Sequence, residues 1–192
     1  MNADLKRRKQ PAIVRAALLD AVVQEAVLGG LASVTVLGVA ARASVSKGAL
    51  FHHFPTRQAL LEAAYAECLL RFDSELDACM ARDPVEAGRF TRAYVIVTFE
   101  AMTSGAMTSD DRRWATFSLT ALVEPAFAQL WRDWLAKRLE SVPSERVDPR
   151  YRAARLAADG FWLQMLSEPA AQSAPTVNDA LLACILTLTR AA

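Results

Sequence analysis

The stretch VAARASVSKGALFHHF, residues Val39 to Phe54, has the pattern of two short helices joined by a tight turn. Apolar residues recur at i, i+3, i+4 and i+7, as on one face of a helix, at Val36, Val39, Ala40 and Ala43. Thr35 precedes this run as a predicted N-cap, and a turn follows at Ser44 and Val45. Ser46 is then predicted to cap the second helix, because its hydroxyl can accept a backbone N–H of the first turn.

The second helix is predicted to have an outer and an inner face. The side chains expected on the outer face are Lys47, Gly48, Ala49 and His52. Leu50 and Phe54 are expected to face inward. Small residues at positions 40, 41, 43 and 49 let the two helices cross closely. Two such helices joined by a tight turn form a helix-turn-helix, whose second helix enters the major groove of DNA.

This pattern resembles the TetR family of one-component bacterial transcriptional regulators, over roughly residues 10 to 62. The matching residues are Thr35, Val39, Ala40, Ala43, Val45, Ser46, Gly48, Leu50, His53 and Phe54, followed by Thr56-Arg57. The family usually has glycine in the turn, where this chain has Ser44, and a left-handed backbone there would cost serine about 1 kcal/mol. The family usually has tyrosine where this chain has Phe51, so a hydroxyl that could reach a DNA phosphate is missing.

The resemblance implies a repressor that binds a palindromic operator as a homodimer and is released by a small-molecule effector. The residues it places at the DNA are Thr35, Arg42, Ser46, Lys47, Gly48, Ala49, Phe51, His52, His53 and Arg57. Lys47 and Arg57 are expected to reach phosphates. Ser46, Ala49 and His52 are expected to face base edges.

Charge is distributed unevenly along the chain. Residues 1–57 carry eight lysines and arginines against three acidic residues, which gives a net charge of +5, whereas the remainder has a net charge of −4. A basic segment ahead of an acidic remainder is typical of a DNA-binding domain followed by a domain that does not bind DNA. The basic run from Lys6 to Lys9 has two interpretations, an arm that follows the DNA and a solvated tail.

Composition and helix signals predict an all-α protein of about nine helices, with 53% hydrophobic residues to form a core. The predicted domains are residues 1–57, with the helix-turn-helix, and residues 58–192, for ligand binding and dimerisation. A first helix is expected from Pro11 to about Val27 or Leu28, after a flexible arm. Its predicted inward face is Ile13, Ala17, Ala21, Gln24 and Leu28. The sequence Asp83-Pro84-Val85-Glu86 predicts a capping box that opens a helix at Pro84, and residues 143–147 are predicted to form a polar turn.

The last two predicted helices, within residues 149–190, are apolar over wide faces. The family resemblance implies that they form a four-helix bundle with a second copy of the chain. The residues expected at this interface are Ala154, Ala158, Phe161, Leu181, Cys184 and Leu188. A core formed within one chain is the alternative interpretation of the same faces.

Aromatic and methionine side chains are concentrated between residues 84 and 168, a region that encloses an effector cavity in the family. The ligand contacts implied are Phe99, Met102, Trp114, Phe117, Phe127, Trp131, Trp162 and Met165. As a group they predict a mostly apolar or aromatic effector, and an aromatic cage for a cation is a second interpretation. Core packing is the alternative role for each side chain taken alone. Residues 156–163 also resemble repressors of the choline-to-betaine pathway.

Residues that carry enzyme chemistry are sparse. The two histidines of the sequence, His52 and His53, lie in the predicted recognition helix, which argues against a histidine-dependent nucleophile. The sequence contains no glycine-rich nucleotide motif and no HExxH motif. Cys68, Cys79 and Cys184 are odd in number, widely spaced and set among apolar residues, which favours core residues in a reducing compartment over a disulfide or zinc framework. A redox sensor is the alternative interpretation. We therefore expect a protein that is not an enzyme and has neither cofactor nor metal site.

No signal peptide and no membrane span are predicted, so a cytoplasmic location is expected. An alternative function is a helical protein-interaction or DNA-binding module without a small-molecule inducer. Ser44 and Phe51 favour a protein-interaction module with a decayed helix-turn-helix, whereas Ser46, Lys47, Gly48 and the basic N-terminal run favour a working DNA-binding motif.

Overall fold

The computed structural model shows an all-α chain, as predicted. It describes the backbone of residues 2–103, 109–122, 124–167 and 175–190, and the side chains of residues 11–103, 111–118, 124–167 and 178–190. Within these residues there are ten α-helices and one 3₁₀ turn, Leu31–Ser33. The helices are α1 (Asn2–Gly29), α2 (Val36–Arg42), α3 (Lys47–His53), α4 (Arg57–Arg82), α5 (Arg89–Thr103), α6 (Ser109–Leu122), α7 (Pro125–Glu140), α8 (Pro143–Val147), α9 (Pro149–Ser167) and α10 (Pro175–Thr187). None of the helices described is both long enough and apolar enough to cross a membrane.

The chain divides into two compact units by its internal packing. Unit 1 comprises residues 1–69 and 113–130, and unit 2 comprises residues 70–112 and 131–192. Helices α4, α6 and α7 therefore each contribute residues to both units. The boundary predicted at residue 57, between a DNA-binding domain and a ligand-binding domain, stays a prediction.

The core of unit 1 forms where α1 packs against α2 and α2 packs against α3. Its buried side chains include Leu18, Leu19, Val22, Val23, Val39, Leu50 and Phe54. The predicted inward face of α1 was wrong at both ends, because Ile13 and Leu28 are exposed. The sequence of α1 offers two apolar stripes with helical spacing, and the stripe with more large side chains is the one that packs.

The helix-turn-helix has the predicted local structure. The Thr35 hydroxyl accepts a hydrogen bond from the Gly38 N–H at 3.0 Å, and the Ser46 hydroxyl accepts one from the Ala49 N–H at 3.2 Å. Both predicted N-caps are therefore confirmed. Between them, Ser44 has a φ of 56°, in the left-handed region that favours glycine. The Val45 N–H donates to the Ala40 carbonyl at 2.9 Å and closes the turn.

The flexible arm predicted before Pro11 was wrong, because the backbone of α1 is helical from Asn2. Pro11 removes one backbone donor from this helix, while the residues around it are mostly good helix formers. The side chains of Lys6 to Lys9 lie outside the described residues, and both interpretations of that basic run stay open.

The capping box predicted at residues 83–86 was wrong, since α5 begins at Arg89. Asp83 instead accepts hydrogen bonds from the Val85 N–H at 2.9 Å and from Arg92 Nε at 2.7 Å. Desolvation tends to raise the pKa of the Asp83 carboxyl, but these two bonds outweigh it and lower the pKa. Gly88 has a φ of 75°, and a Cβ there would lie 2.5 Å from the Thr189 carbonyl oxygen, so the chain turns at this glycine before α5 starts.

A distant carboxylate caps α5. Glu145 is buried, and its carboxylate accepts the N–H groups of Phe90 at 3.2 Å and Thr91 at 2.7 Å. Residues 143–147, predicted as a polar turn, form α8, which places Glu145 at the start of α5. The first N–H groups of a helix have no partner within it, and this capping role requires contacts that the local sequence does not reveal.

Replacing Ser44 by glycine should stabilise the protein. The left-handed backbone at residue 44 strains serine and not glycine, so Ser44→Gly should raise the free energy of unfolding by about 1 kcal/mol in chemical denaturation. Ser46→Ala is the matched control and should lower it by about 1 kcal/mol through loss of the α3 cap. A Ser44→Gly variant that is less stable than the parent would contradict this account of the turn.

Candidate nucleic-acid interface

The outer face of α3 is polar, aromatic and accessible. The exposed side chains on this face include Ser46, Lys47, Phe51 and His52, and Leu50 is buried as predicted. The Lys47 ammonium lies 5.7 Å from the centre of the Phe51 ring, within range of a cation–π interaction. A positive charge and an apolar ring are therefore presented together on the helix that the sequence assigns to the major groove.

Gly48 leaves a gap on this face. A Cβ added at residue 48 would have no heavy atom within 4 Å of it. The folding of this chain therefore does not require glycine at this position in the way that it does at Gly88. The missing side chain leaves room for another molecule to approach the α3 backbone closely.

Two predicted contacts on α3 are less accessible than expected. Ala49 is half-buried, and so is His53, whose ring centre lies 6.3 Å from that of Phe54 and 5.7 Å from that of His52. His53 thus packs partly against its own helix end. Their roles at DNA stay predictions, as do those of the more exposed side chains.

The two predicted arginines are engaged within the protein. Arg42 Nε lies 2.7 Å from Glu25 Oε1, so this ion pair offsets the Arg42 charge. Arg57 Nε donates to the Val34 carbonyl at 2.6 Å, and its Nη2 donates to the Leu31 carbonyl. The sequence suggested a phosphate contact for Arg57, whereas the structure shows a guanidinium that joins the first residue of α4 to the segment before α2.

Thr35 is exposed, with its hydroxyl committed to the α2 cap. Leu37, which the sequence analysis did not select, is also exposed on α2. Its apolar side chain falls outside the predicted i, i+3, i+4 stripe of that helix. This departure from the stripe was the feature of the sequence that could have predicted the exposure of Leu37.

Three of the eight predicted ligand contacts lie in unit 1, and all three are buried: Trp114, Phe117 and Phe127. The Trp114 and Phe117 rings meet edge to face, with 6.4 Å between their centres. The Phe127 ring centre lies 5.5 Å from that of Tyr65, a buried residue of α4 that the sequence analysis did not select.

The other five predicted ligand contacts lie in unit 2. Phe99, Met102, Trp131 and Met165 belong to or pack against its core, and Trp162 is half-buried on α9. Phe99 stacks on Phe161 with ring centres 3.8 Å apart. The eight side chains are thus divided between the two units, and their shared role as ligand contacts stays a prediction.

Unit 2 also contains polar groups within its core that the sequence analysis missed. Desolvation raises the pKa of the Asp159 carboxyl, which accepts a hydrogen bond from the Tyr94 hydroxyl. Arg155, one turn earlier on α9, is buried and donates to Thr91 Oγ1 at 2.7 Å. Two charged residues four apart in an alanine-rich helix could have indicated a buried polar cluster. The sequence could not identify their partners, because these come from α5 and α8.

The predicted dimer residues fall on two different faces. Ala154, Ala158 and Phe161 are buried inside the subunit and are not available to a partner, which corrects that part of the prediction. The small side chains of Ala154 and Ala158, and the stack of Phe161 on Phe99, fit this face of α9 to α5. Leu181 and Cys184 are exposed on α10, and Leu188 is half-buried. The same face of α9 cannot serve both α5 and a second copy.

Comparisons with known proteins agree with this architecture. The sequence model described as "Bacterial regulatory proteins, tetR family" matches residues 18–64, and that described as "Tetracyclin repressor-like, C-terminal domain" matches residues 88–190. The chain is similar to the HTH-type transcriptional regulator BetI of Burkholderia thailandensis, with 29% identity over 79% of this chain and 81% of that protein. It is 30% identical to the HTH-type transcriptional repressor KstR of Rhodococcus jostii, over 86% of this chain and 73% of KstR.

Among solved structures, the fold is similar to that of the multidrug binding protein EbrR complexed with malachite green. The TM-score is 0.69 at 23% sequence identity, and the match covers 92% of this chain and 98% of EbrR. The two family models together cover the helix-turn-helix, the start of α4 and the chain from Gly88 to Arg190. This chain belongs to the TetR family of bacterial transcriptional regulators.

Proposed function

We propose that this protein is a ligand-responsive repressor that binds a palindromic operator as a homodimer in the cytoplasm. The observation that carries the proposal is the outer face of α3, exposed on a helix whose start is fixed by the Ser46 cap. KstR, a relative at 30% identity, is described as a repressor. Two recognition helices related by a two-fold axis would fit half-sites about 34–36 Å apart, or a multiple of that spacing.

At the DNA, Lys47 supplies the charge for a phosphate, and Phe51 and His52 face the groove. Arg57 acts instead through the protein, because its donors are engaged with the carbonyls of Leu31 and Val34. Arg42 contributes little net charge while it is paired with Glu25. Non-specific affinity for DNA would therefore depend on few charges of the described residues, chiefly Lys47.

The dimer proposal uses the outward faces of α9 and α10. Leu156 and Leu163, two turns apart on α9, are 59% and 50% exposed, and Leu181 on α10 is 39% exposed. Gly160 lies between the two α9 leucines, and a Cβ there would have no heavy atom within 4 Å, so another helix can approach closely. Exposed leucines on neighbouring helices of one unit favour a helical interface between two copies.

The proposed effector is a mostly apolar or aromatic molecule. Support comes from the buried aromatic side chains of both units and from EbrR, which has been crystallised with malachite green. To release the operator, the effector must bind the DNA-free conformation more tightly than the DNA-bound one, with a typical coupling of about 1–3 kcal/mol.

The experiment that tests this function begins with a DNA operator selected from a random library. Apolar aromatic, planar cationic and quaternary ammonium compounds are then titrated while tryptophan fluorescence and operator binding are measured. A compound that changes both signals supports a ligand-responsive repressor. Operator binding that no compound alters would favour the alternative of a DNA-binding module without an inducer, and failure to select any DNA would reject the regulator itself.

Lys47→Ala should weaken binding to all DNA sequences and reduce the slope of log K against log salt by about one unit, because one phosphate contact is lost. Lys137→Ala, the same substitution on an exposed position of α7, is the control and should leave the slope unchanged. Fluorescence anisotropy over a salt series measures both. A changed base preference with an unchanged slope would show that Lys47 reads bases.

Gly48→Ala should separate stability from DNA binding. Alanine fits without contact inside the protein and favours a helix, so the free energy of unfolding should stay constant or rise by up to about 1 kcal/mol. Operator affinity should nevertheless fall, because the added methyl group blocks close approach of the α3 backbone to DNA. Denaturation and anisotropy on one protein sample give both values. Undiminished affinity would place DNA away from Gly48.

Leu163→Glu or Leu181→Glu should produce a monomer in size-exclusion chromatography with light scattering. Burying an unpaired carboxylate in the interface would cost several kcal/mol. Val147→Glu adds the same charge at an exposed apolar residue of α8 and should leave the dimer intact. A parent protein that is already monomeric at micromolar concentration would reject the dimer, and glutamate variants that stay dimeric would place the interface elsewhere.

A further inference from the structure

Tyr65 is a buried polar side chain in an apolar part of unit 1. Its ring has no solvent exposure, and its hydroxyl oxygen makes no hydrogen bond of normal length and angle with the residues described. Desolvation raises the pKa of this hydroxyl well above its ordinary value, and nearby Ser118 offsets only part of the effect. The hydroxyl therefore carries the cost of leaving water without a full compensating bond.

Buried tyrosines usually place the hydroxyl against a partner, and this protein contains such a case. Tyr94 in unit 2 is 2% exposed, and its hydroxyl donates to the Asp159 carboxylate. An unsatisfied buried hydroxyl is uncommon enough to require an explanation, such as a ligand that supplies the missing acceptor.

The surroundings of Tyr65 indicate the chemistry of such a ligand. The Phe127 ring of α7 lies 5.5 Å from the Tyr65 ring between centres, and Ser118 of α6 lies near the Tyr65 hydroxyl. Helix α6 also carries the buried rings of Trp114 and Phe117 in the same unit. Cys68, one turn after Tyr65 on α4, lies with its sulfur 4.0 Å from the Trp114 carbonyl oxygen. These groups favour an aromatic molecule, and the Tyr65 hydroxyl selects one with an acceptor oxygen.

We propose that Tyr65 is the hydrogen-bond anchor of an effector site in unit 1, formed by α4, α6 and α7, that takes a largely apolar aromatic molecule with one carbonyl-type acceptor oxygen. The inference rests on the proposed function, since it names the chemical class of the effector. It also gives Trp114, Phe117 and Phe127 a common role, apart from the five aromatic and methionine residues of unit 2.

The site lies on the helix that begins at the Arg57 contacts. Tyr65 is eight residues after Arg57, which is about 12 Å along α4. Leu60, Leu61 and Ala64, between them, are buried. A ligand that shifts this segment would move the Arg57 guanidinium relative to the Leu31 and Val34 carbonyls that it binds.

Tyr65→Phe removes one oxygen and tests the unsatisfied hydroxyl without any ligand. We expect the melting temperature of the free protein to stay constant or to rise by a few degrees, because no hydrogen bond of normal length and angle is lost. Tyr94→Phe is the matched control and should lower the melting temperature, since it removes the bond to Asp159. A Tyr65→Phe protein that melts as early as Tyr94→Phe would show that the hydroxyl is satisfied internally, and would overturn the proposal.

Two probes of equal shape test the ligand class: 9-fluorenone, which has a carbonyl group, and fluorene, which has a methylene there. By isothermal titration calorimetry, the parent protein should bind 9-fluorenone about ten-fold more tightly than fluorene, as one net hydrogen bond predicts. Tyr65→Phe should abolish this preference, and Tyr94→Phe should retain it. Equal affinities for the two probes in the parent protein, including no binding of either, would overturn the proposal.

Measurements of operator binding distinguish failure of the Tyr65 site from failure of the proposed function. If another compound releases the operator from the parent and from Tyr65→Phe equally, the ligand-responsive repressor stands and the Tyr65 site falls. If 9-fluorenone binds through Tyr65 and the chain binds no DNA from the library, the site stands and the repressor falls.

Discussion

The hydrogen bonds of Arg57 connect the start of α4 to the segment before α2 in unit 1. The Leu31 carbonyl belongs to the 3₁₀ turn, where it also accepts the Val34 N–H at 3.3 Å, and the Val34 carbonyl lies just before the Thr35 cap of α2. One planar guanidinium, with donors in fixed directions, binds both carbonyls and belongs to the first residue of α4. The segment before α2 and the start of α4 are therefore joined by polar bonds. Any motion of the first turn of α4 would therefore strain or shift the segment that leads into the helix-turn-helix.

This structural use of arginine has a consequence for the DNA-binding surface. With Arg57 engaged and Arg42 paired with Glu25, the exposed charge of α3 is concentrated in Lys47. The contact with the Phe51 ring restricts the otherwise flexible lysine side chain, so less conformational entropy would be lost in the proposed contact of the ammonium with a phosphate. Phenylalanine at residue 51 thus lacks the hydroxyl of the family's tyrosine and retains an aromatic face that can position a cation.

The local sequence correctly predicted structure that depends on bonds between neighbouring residues. It failed where the structure depends on residues that are distant in the chain. The N-caps at Thr35 and Ser46 and the turn at Ser44 follow from short-range backbone chemistry, and all three were predicted correctly. The left-handed backbone at Ser44 is what the structure adds. The start of α5 was missed because its N–H groups are capped by Glu145, which is 54 and 55 residues away in the chain. The apolar faces of α1 and α9 were assigned wrongly in part, because each helix has more than one stripe that could be buried, and spacing alone does not choose between them. The engagement of Arg57 was missed for a similar reason. A basic residue just after a recognition helix suggests a phosphate contact, whereas in this fold its guanidinium binds two backbone carbonyls that are 23 and 26 residues away in the chain.

The free energy of an Arg57 hydrogen bond is similar in size to the coupling that control of operator binding through α4 would require. A hydrogen bond from a charged donor contributes about 1.5–3 kcal/mol, and a typical allosteric coupling is about 1–3 kcal/mol. Weakening one of the two Arg57 bonds would therefore be enough to account for the proposed release of an operator, without unfolding any helix. Such a mechanism requires the effector to interact differently with the two positions of α4, because equal affinity shifts no equilibrium. Tyr65 meets that requirement in the proposed site, since a hydroxyl that gains an acceptor only when ligand is bound favours whichever position of α4 brings the two together.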